Sequence, residues 1–324
     1  MKLLVTGGAG FVGATVTRLL LDAGHEVVVL DDLSRNDADQ VPADATFVQA
    51  RVQEVGEVLT PDAGFDGVLH FAGLISAGES MAHPELHWEA NTRAGLNLLD
   101  AMRTAGVKKL IFSSTAACYG EPSELPLTER AVTMPINTYG ATKLAVDLAI
   151  ASEARAHKLA AVSLRYFNVA GALVREDGVT IGERHDPETH LIPIALEVAA
   201  GKREKLPLFG DDYPTPDGTC IRDYIHVADL AEAHLLALAA AVPGEHKIYN
   251  LGSGSGFSNA QVIEAVRTVT GHPVPVEWLP RRPGDPASLY ASSALAQAEL
   301  GWAPSRTSLE AIVADAWAFY RAHS

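Results

Sequence analysis

Cysteine is nearly absent from this 324-residue chain, which has only Cys118 and Cys220. Two thiols so far apart make neither a disulfide framework nor a zinc spacing. The composition therefore predicts a reducing compartment, the cytoplasm, and no metal centre. Cys118, between Ala117 and Tyr119, reads as a small buried hydrophobe rather than a nucleophile. Positive charge is also scarce: 25 Lys and Arg against 40 Asp and Glu give a net charge of −15. Nucleic acids and anionic membranes need a basic face, so neither is expected as a partner. A local basic pocket for a phosphorylated ligand stays compatible with that charge. No apolar run approaches the roughly 20 residues of a membrane span. The apolar N-terminus is broken by glycines and followed by Asp22 and His25, unlike a secretory signal. No internal repeat and no low-complexity segment is seen. What remains, 48% hydrophobic and 20% charged, suits one large α/β domain or two packed ones.

The first positive signal is local. Lys2–Thr6 reads as a strand, Gly7-Gly-Ala-Gly-Phe-Val-Gly13 follows directly, and Val16, Leu19, Leu20 and Ala23 are spaced for a helix with one buried face. Strand, glycine turn and helix form the context of a dinucleotide-binding fingerprint. Gly7 suits the tight turn, Gly10 lets backbone approach a pyrophosphate, and Gly13 permits close helix–sheet packing. The phosphate would rest on the helix N-terminus. A second strand, Glu26–Leu30, ends in Asp31, where a carboxylate meets ribose hydroxyls and repels a 2′-phosphate. That favours NAD over NADP, with Asp32 and Arg35 close by.

Strand candidates continue at 46–49, 67–71, 109–113 and 161–166, and helices at 11–23, 89–105 and 137–157. The alternation predicts a Rossmann-type, doubly wound parallel α/β sheet covered on both faces. Ligands in such sheets bind beyond the carboxyl ends of the strands. After about residue 167 the pattern loosens. The 171–188 stretch reads as loop, 206–218 as turn-laden, and helices are expected near 228–241, 258–271 and 308–322. The expected division is an NAD-binding domain over 1–167 and a smaller substrate-binding domain over 168–324, some of whose segments return to the main sheet.

Tyr139 and Lys143 stand one helical turn apart, on one face. An ammonium near a phenol favours the phenolate, so the spacing predicts a lowered Tyr139 pKa and a general base. An exposed helix face is the alternative reading of the pair taken alone.

Together with Gly7–Gly13 and Tyr139-x-x-x-Lys143, further motifs are His70-Phe-Ala, Gly78-Glu-Ser80, Asn91, Phe112–Gly120, Arg165-Tyr-Phe-Asn-Val-Ala-Gly171, Arg222-Asp-Tyr-Ile-His-Val227 and Arg281–Asp285. On these the chain resembles, over nearly its full length, the extended short-chain dehydrogenase/reductase family and its UDP-glucose (UDP-galactose) 4-epimerases. The resemblance implies reversible epimerisation at carbon 4 of a UDP-hexose with tightly bound NAD. Tyr139 would take the proton of the 4-hydroxyl, Lys143 would lower its pKa and hold the nicotinamide ribose, and Thr115 would hydrogen-bond the same hydroxyl. Cofactor contacts are implied for Gly7, Gly10, Phe11, Val12, Gly13 and Asp31. They continue through Val52, Phe71, Ala72, Asn91, Ser113 and Tyr166, joined by Tyr139 and Lys143. Substrate contacts are implied for Asn168, His190, Leu191, Leu208 and Phe209, and for Arg222, Tyr224, Arg282 and Asp285. Arginines suit a diphosphate because their fork matches its oxygens. His226 reads as structural. The family also implies a homodimer through helices near 89–105 and 137–157, for which Ala141, Ala145 and Ala149 offer a small-residue face.

Some positions depart from the pattern. Arg51 stands where relatives carry an aspartate toward adenine, Ile75 where they carry a lysine, and His190 where they carry Asn. Leu289 aligns with a gatekeeper beside the sugar, leaving UDP-N-acetylhexosamines and UDP-pentoses open as substrates. The rivals are a 4,6-dehydratase, a 4-ketoreductase and a non-catalytic NAD(H) sensor. Ala116-Ala117 replace the Asp-Glu that a dehydratase needs, Asp31 opposes an NADPH-using reductase, and an intact Tyr139, Lys143 and Thr115 oppose a sensor.

Overall fold

Alternate residues of a strand face opposite sides of its sheet, so strands covered on both sides read as continuous apolar runs. Six such runs, β1 (Lys2–Thr6), β2 (Glu26–Asp31), β3 (Thr46–Gln49), β4 (Gly67–His70), β5 (Lys109–Ser113) and β6 (Ala160–Tyr166), fall within one residue of the expected limits. The structure is a computed structural model that describes all residues except Asp186, Pro283, Gly284 and Ser324. The middle of the Arg281–Asp285 motif thus lies outside the described residues.

Helix α1 (Phe11–Asp22) starts at Gly10, which offers no side-chain cap. The predicted 89–105 helix is divided. After α2 (Ala77–Ala82) and α3 (Pro84–His87), a π-helical turn spans Trp88–Arg93 before α4 (Ala94–Ala105). Wide turns of this kind re-aim side chains, and here the turn holds Asn91 buried. α5 (Thr138–His157) begins at Asn137, whose Oδ1 accepts the Gly140 N–H at 2.8 Å, a side-chain N-cap.

The second half holds β7 (Asn168–Ala170), β8 (Ala172–Val174), β9 (Thr180–Gly182), α6 (Leu191–Ala199), β10 (Leu206–Phe209), β11 (Ile221–Arg222), β12 (Tyr224–His226) and α7 (Val227–Ala240). It ends with β13 (His246–Leu251), β14 (Phe257–Ser258), α8 (Asn259–Thr270), β15 (Val276–Leu279), β16 (Ser288–Leu289), α9 (Ala294–Leu300) and α10 (Leu309–Ala322). Two readings are corrected. The 171–188 stretch contains the β8–β9 hairpin, and the turn-laden Leu206–Phe209 is a strand paired with β15. Pro207 misled there; a proline that cannot donate is tolerated in an edge strand.

The central sheet has seven strands in the order β13-β6-β5-β4-β1-β2-β3, each adjacent pair parallel. The order reverses between β1 and β4, where ligands of doubly wound sheets sit. Leu3, Val5, Val27 and Val29 pack with Val16 and Leu20 of α1, Leu230 and Leu238 of α7, and Trp302. Leu4, Val28, Leu30 and Val68 face the other way, against Leu98 and Met102 of α4 and Val146 and Ile150 of α5. A separate core joins α6, α8 and α10 around Leu196, Val266 and Ile312.

Candidate active site

The glycine loop lies at the switch point. Gly7 has φ +73°, and a Cβ there would stand 2.4 Å from the Ala72 nitrogen. A Cβ on Gly13 would stand 2.2 Å from the Gly7 oxygen. Only glycine permits both approaches, and they leave the uncapped N-terminus of α1, with Phe11 and Val12, available to an anion. Asp31 closes β2 and is buried, accepting from Ala9 N at 3.1 Å and Leu33 N at 2.9 Å. Burial raises its pKa, with those backbone donors acting against the rise. Arg35, the nearby cation that could favour a 2′-phosphate, is engaged by Glu79 at 2.8 Å. Beyond β4, the N–H groups of Phe71 and Ala72 both donate to Thr6 O. Buried Asn91 accepts from Leu74 N at 2.8 Å and donates to Thr142 Oγ1 at 3.0 Å, so its side chain ties this loop to α5. Val52 is buried just beyond β3, whereas Arg51 and Ile75 are exposed.

The catalytic candidates gather beyond β5. Lys143 is buried, donates from Nζ to the Ser113 carbonyl at 3.0 Å and lies 5.0 Å from the Phe112 ring centroid. Burial lowers its pKa to about 8, opposed by the charge of Asp147. Ser113 Oγ meets the Tyr166 hydroxyl. Burial raises the Tyr139 pKa, and the neighbouring Thr115 side chain pulls the other way. The predicted lowering of the Tyr139 pKa is therefore not seen in the protein alone. Desolvation of the phenol dominates, and the Lys143 ammonium is aimed at the Ser113 carbonyl instead. His70, beside Lys143, is held neutral: burial, then that ammonium, lowers its pKa to about 3. Cys118 is buried and pushed up to about 12 by desolvation, which leaves it unreactive.

The substrate-side candidates come from the second half. Arg222 on β11 forms an ion pair with Asp285. Its strand partner across β16 is Leu289, and Leu289 packs against a buried cluster of Ala116, Cys118, Tyr119, Leu127 and Ala291. The gatekeeper candidate thus borders the small core that includes the turn after Thr115. The Arg282 guanidinium lies 3.9 Å above the Phe209 ring, beside buried Leu208. Asn168 Nδ2 donates to Asp223 O at 3.2 Å, and buried Tyr224 follows on β12. His226 accepts from Ala228 N through Nδ1 and meets Asp315 at 3.1 Å, a helix cap in keeping with a structural role. His190 precedes Leu191 at the start of α6 and is turned to Glu183. Burial disfavours its charged form, but Glu183 and Glu188 outweigh that and raise its pKa to about 9.

Residues 3–252 match the model of the NAD dependent epimerase/dehydratase family. The chain belongs to that family. A UDP-glucose 4-epimerase from Corynebacterium glutamicum is 56% identical, across 98% of this chain and 95% of that relative. The solved UDP-glucose 4-epimerase from Brucella ovis in complex with NAD superimposes with a TM-score of 0.92 at 42% identity, covering 98% of this chain and 97% of that one. The Bifidobacterium longum enzyme of the same name, in complex with NAD+ and UDP, gives 0.93 at 36% identity over 99% and 98% of the two chains.

This family member carries polar groups that motif reading missed. Asp147, one turn beyond Lys143, is buried and accepts from Ser114 Oγ at 2.9 Å and from buried Arg165 at 2.8 Å. The i+4 spacing from Lys143 was the available signal. His87 is buried with its ring edge toward the Tyr139 ring, centroids 6.4 Å apart; a lone histidine in a polar helix gave no signal.

Proposed function

We propose that this protein, an isomerase of galactose metabolism, interconverts UDP-glucose and UDP-galactose at carbon 4 with NAD held along the carboxyl edge of the sheet. The observation that carries the reading is Tyr139 with Thr115 as its neighbour and buried Lys143 one helical turn on, in a chain 56% identical to a UDP-glucose 4-epimerase. The glycine cradle, where a Cβ would collide, and the Asp31 carboxylate at the end of β2 fit NAD. When bound, NAD supplies a reversible acceptor for the hydride of carbon 4 and a positive charge in the site. Tyr139 takes the proton from the 4-hydroxyl and returns it, with Thr115 hydrogen-bonded to the reacting oxygen. Lys143 fixes the Ser113 end of the site and supplies positive charge beside the phenol. Arg222, Arg282 and Asn168 hold the diphosphate, Asp285 the uridine ribose, and Phe209 with Leu208 the uracil. Ala116 and Ala117 bring no acid or base, so elimination has no catalyst.

Purified protein given UDP-galactose without added NAD+ tests this. UDP-glucose as product supports it; a 4-keto-6-deoxy sugar assigns a dehydratase, and no turnover with any UDP-hexose points to a sensor. A homodimer through α4 and α5 belongs to the same reading, because Ala141, Ala145 and Ala149 form a half-exposed stripe next to exposed Leu148, with Leu96 exposed on α4. Sedimentation tests it, and a monomer at assay concentration rejects it. Two free, buried cysteines support a cytoplasmic place. Among the described residues no helix is long and apolar enough to cross a membrane.

A further inference from the structure

Between β9 and α6 the chain reads Glu183-x-His185-x-x-Glu188-x-His190, and the fold turns these four side chains onto one another. One imidazole nitrogen or carboxylate oxygen from each lies within 4.8 Å of all the others. His185 Nδ1 stands 3.1 Å from Glu183 Oε1 and 3.9 Å from Glu188 Oε1. His190 Nδ1 contacts the same Glu183 oxygen and lies 3.9 Å from Glu188 Oε1. Both glutamate side chains are only 7% exposed. Two carboxylates withdrawn from water side by side are costly unless positive charge sits between them. Neither lysine nor arginine does so: among the described residues their ion-pair partners are the two histidines. Arg184, next along the chain, turns away to Asp39. The backbone N–H groups of Thr189 and His190 hold Glu188 Oε1 at 2.7 and 2.8 Å, which fixes that carboxylate in position.

We propose that Glu183, His185, Glu188 and His190 bind one divalent transition-metal ion, zinc foremost, as a structural clamp. Two nitrogen and two oxygen donors from one short stretch match the four-coordinate preference of zinc, whereas calcium and magnesium favour all-oxygen sets. Four protein ligands leave no open position for chemistry, so the ion would hold the β9–α6 connection and the first turn of α6. His190 is 45% exposed and gives the ion an entry path. The expectation of no metal rested on cysteine spacing, to which a Glu/His set is invisible.

The test uses full-length, untagged protein. It is stripped with chelator and titrated calorimetrically with zinc chloride, while elemental analysis counts the metal retained on purification. One zinc ion per chain is expected, with a rise in unfolding temperature on binding. His185→Ala and Glu188→Gln should each weaken binding by at least an order of magnitude. A zinc-soaked crystal should show one anomalous peak among the four side chains. If a variant fails to fold, the wild-type titration and the crystal decide. No stoichiometric binding, or binding unchanged in a folded His185→Ala protein, overturns the proposal and leaves a set of imidazolium–carboxylate pairs.

Discussion

The sheet half and the C-terminal half hold their polar groups in different ways. In the sheet half these groups are buried and commit to one another or to backbone: Lys143 to the Ser113 carbonyl, Asp31 to Ala9 and Leu33, Asp147 to Arg165. In the C-terminal half the groups proposed to hold the substrate are partly exposed and pair with one another. Arg222 and Asp285 pair with side chains 13% and 27% exposed, and Arg282 lies over Phe209. Folding alone arranges the first set, because a buried polar group must find its partner as water leaves. The second set can exchange partners, since a phosphate can replace a carboxylate on a guanidinium at little cost. A cofactor face fixed by folding and a substrate face completed by its ligand suit an enzyme that retains NAD and turns its sugar over.

Five experiments would break or sharpen that contrast. The largest effect is expected from Tyr139→Phe, which should lower kcat by on the order of 10²–10⁴-fold while leaving bound NAD and the urea midpoint unchanged. Turnover near the wild-type rate would remove Tyr139 from the chemistry. Next, Asp147→Ala should destabilise the fold by about 3–5 kcal/mol in urea unfolding, because it leaves the Arg165 charge buried without its partner.

His234, buried on α7 against Phe71, just beyond β4, and Tyr166 of β6, provides a pH test. Its pKa falls from 6.5 to about 4, chiefly by burial. The unfolded chain therefore takes up a proton that the folded one refuses. The stability from this group is present in full above pH 6.5 and is lost as pH drops toward 4, by on the order of 3 kcal/mol. In His234→Phe the decline across that window should be shallower; an identical slope would show that other groups carry it.

Arg222→Ala reports on the exchangeable face. It should raise the KM for UDP-galactose about ten- to a hundredfold through a lost charge-assisted contact, with a change in stability of under about 1 kcal/mol. A large loss of stability with KM unmoved would make the pair architectural and erase the contrast. The smallest effect is expected at Leu289, where Leu289→Tyr should leave UDP-glucose turnover within a few-fold and favour plain hexoses over N-acetylated ones by about tenfold. An unaltered ratio would move the gatekeeper elsewhere.

Local signals were the legible ones. The glycine loop, Asp31 and the Tyr139/Lys143 spacing depend on neighbours a few residues apart, and the apolar runs marked six of the seven central strands within one residue. Distant pairings were not legible. Nothing in α5 states that Asp147 will meet Arg165, or that Lys143 will turn to the Ser113 carbonyl. The direction of the Tyr139 shift failed for the same reason: spacing reports which charge is near, but burial, which dominates here, is a property of the assembled site. β13 escaped because its polar His246-Lys247 start hides an edge strand, and β10 because of Pro207.

The edge position of β13 has a consequence for synthesis. Its six residues from His246 to Leu251 pair with β6, which ended at Tyr166. The ribosome must therefore deliver β7 through β12, with α6 and α7, before the sheet can gain its last strand. Until then β6 presents an open row of backbone groups, the kind of edge that recruits foreign strands. A chain truncated before β13 would leave that longer, more central row of β6 open and should aggregate more readily than the full-length protein.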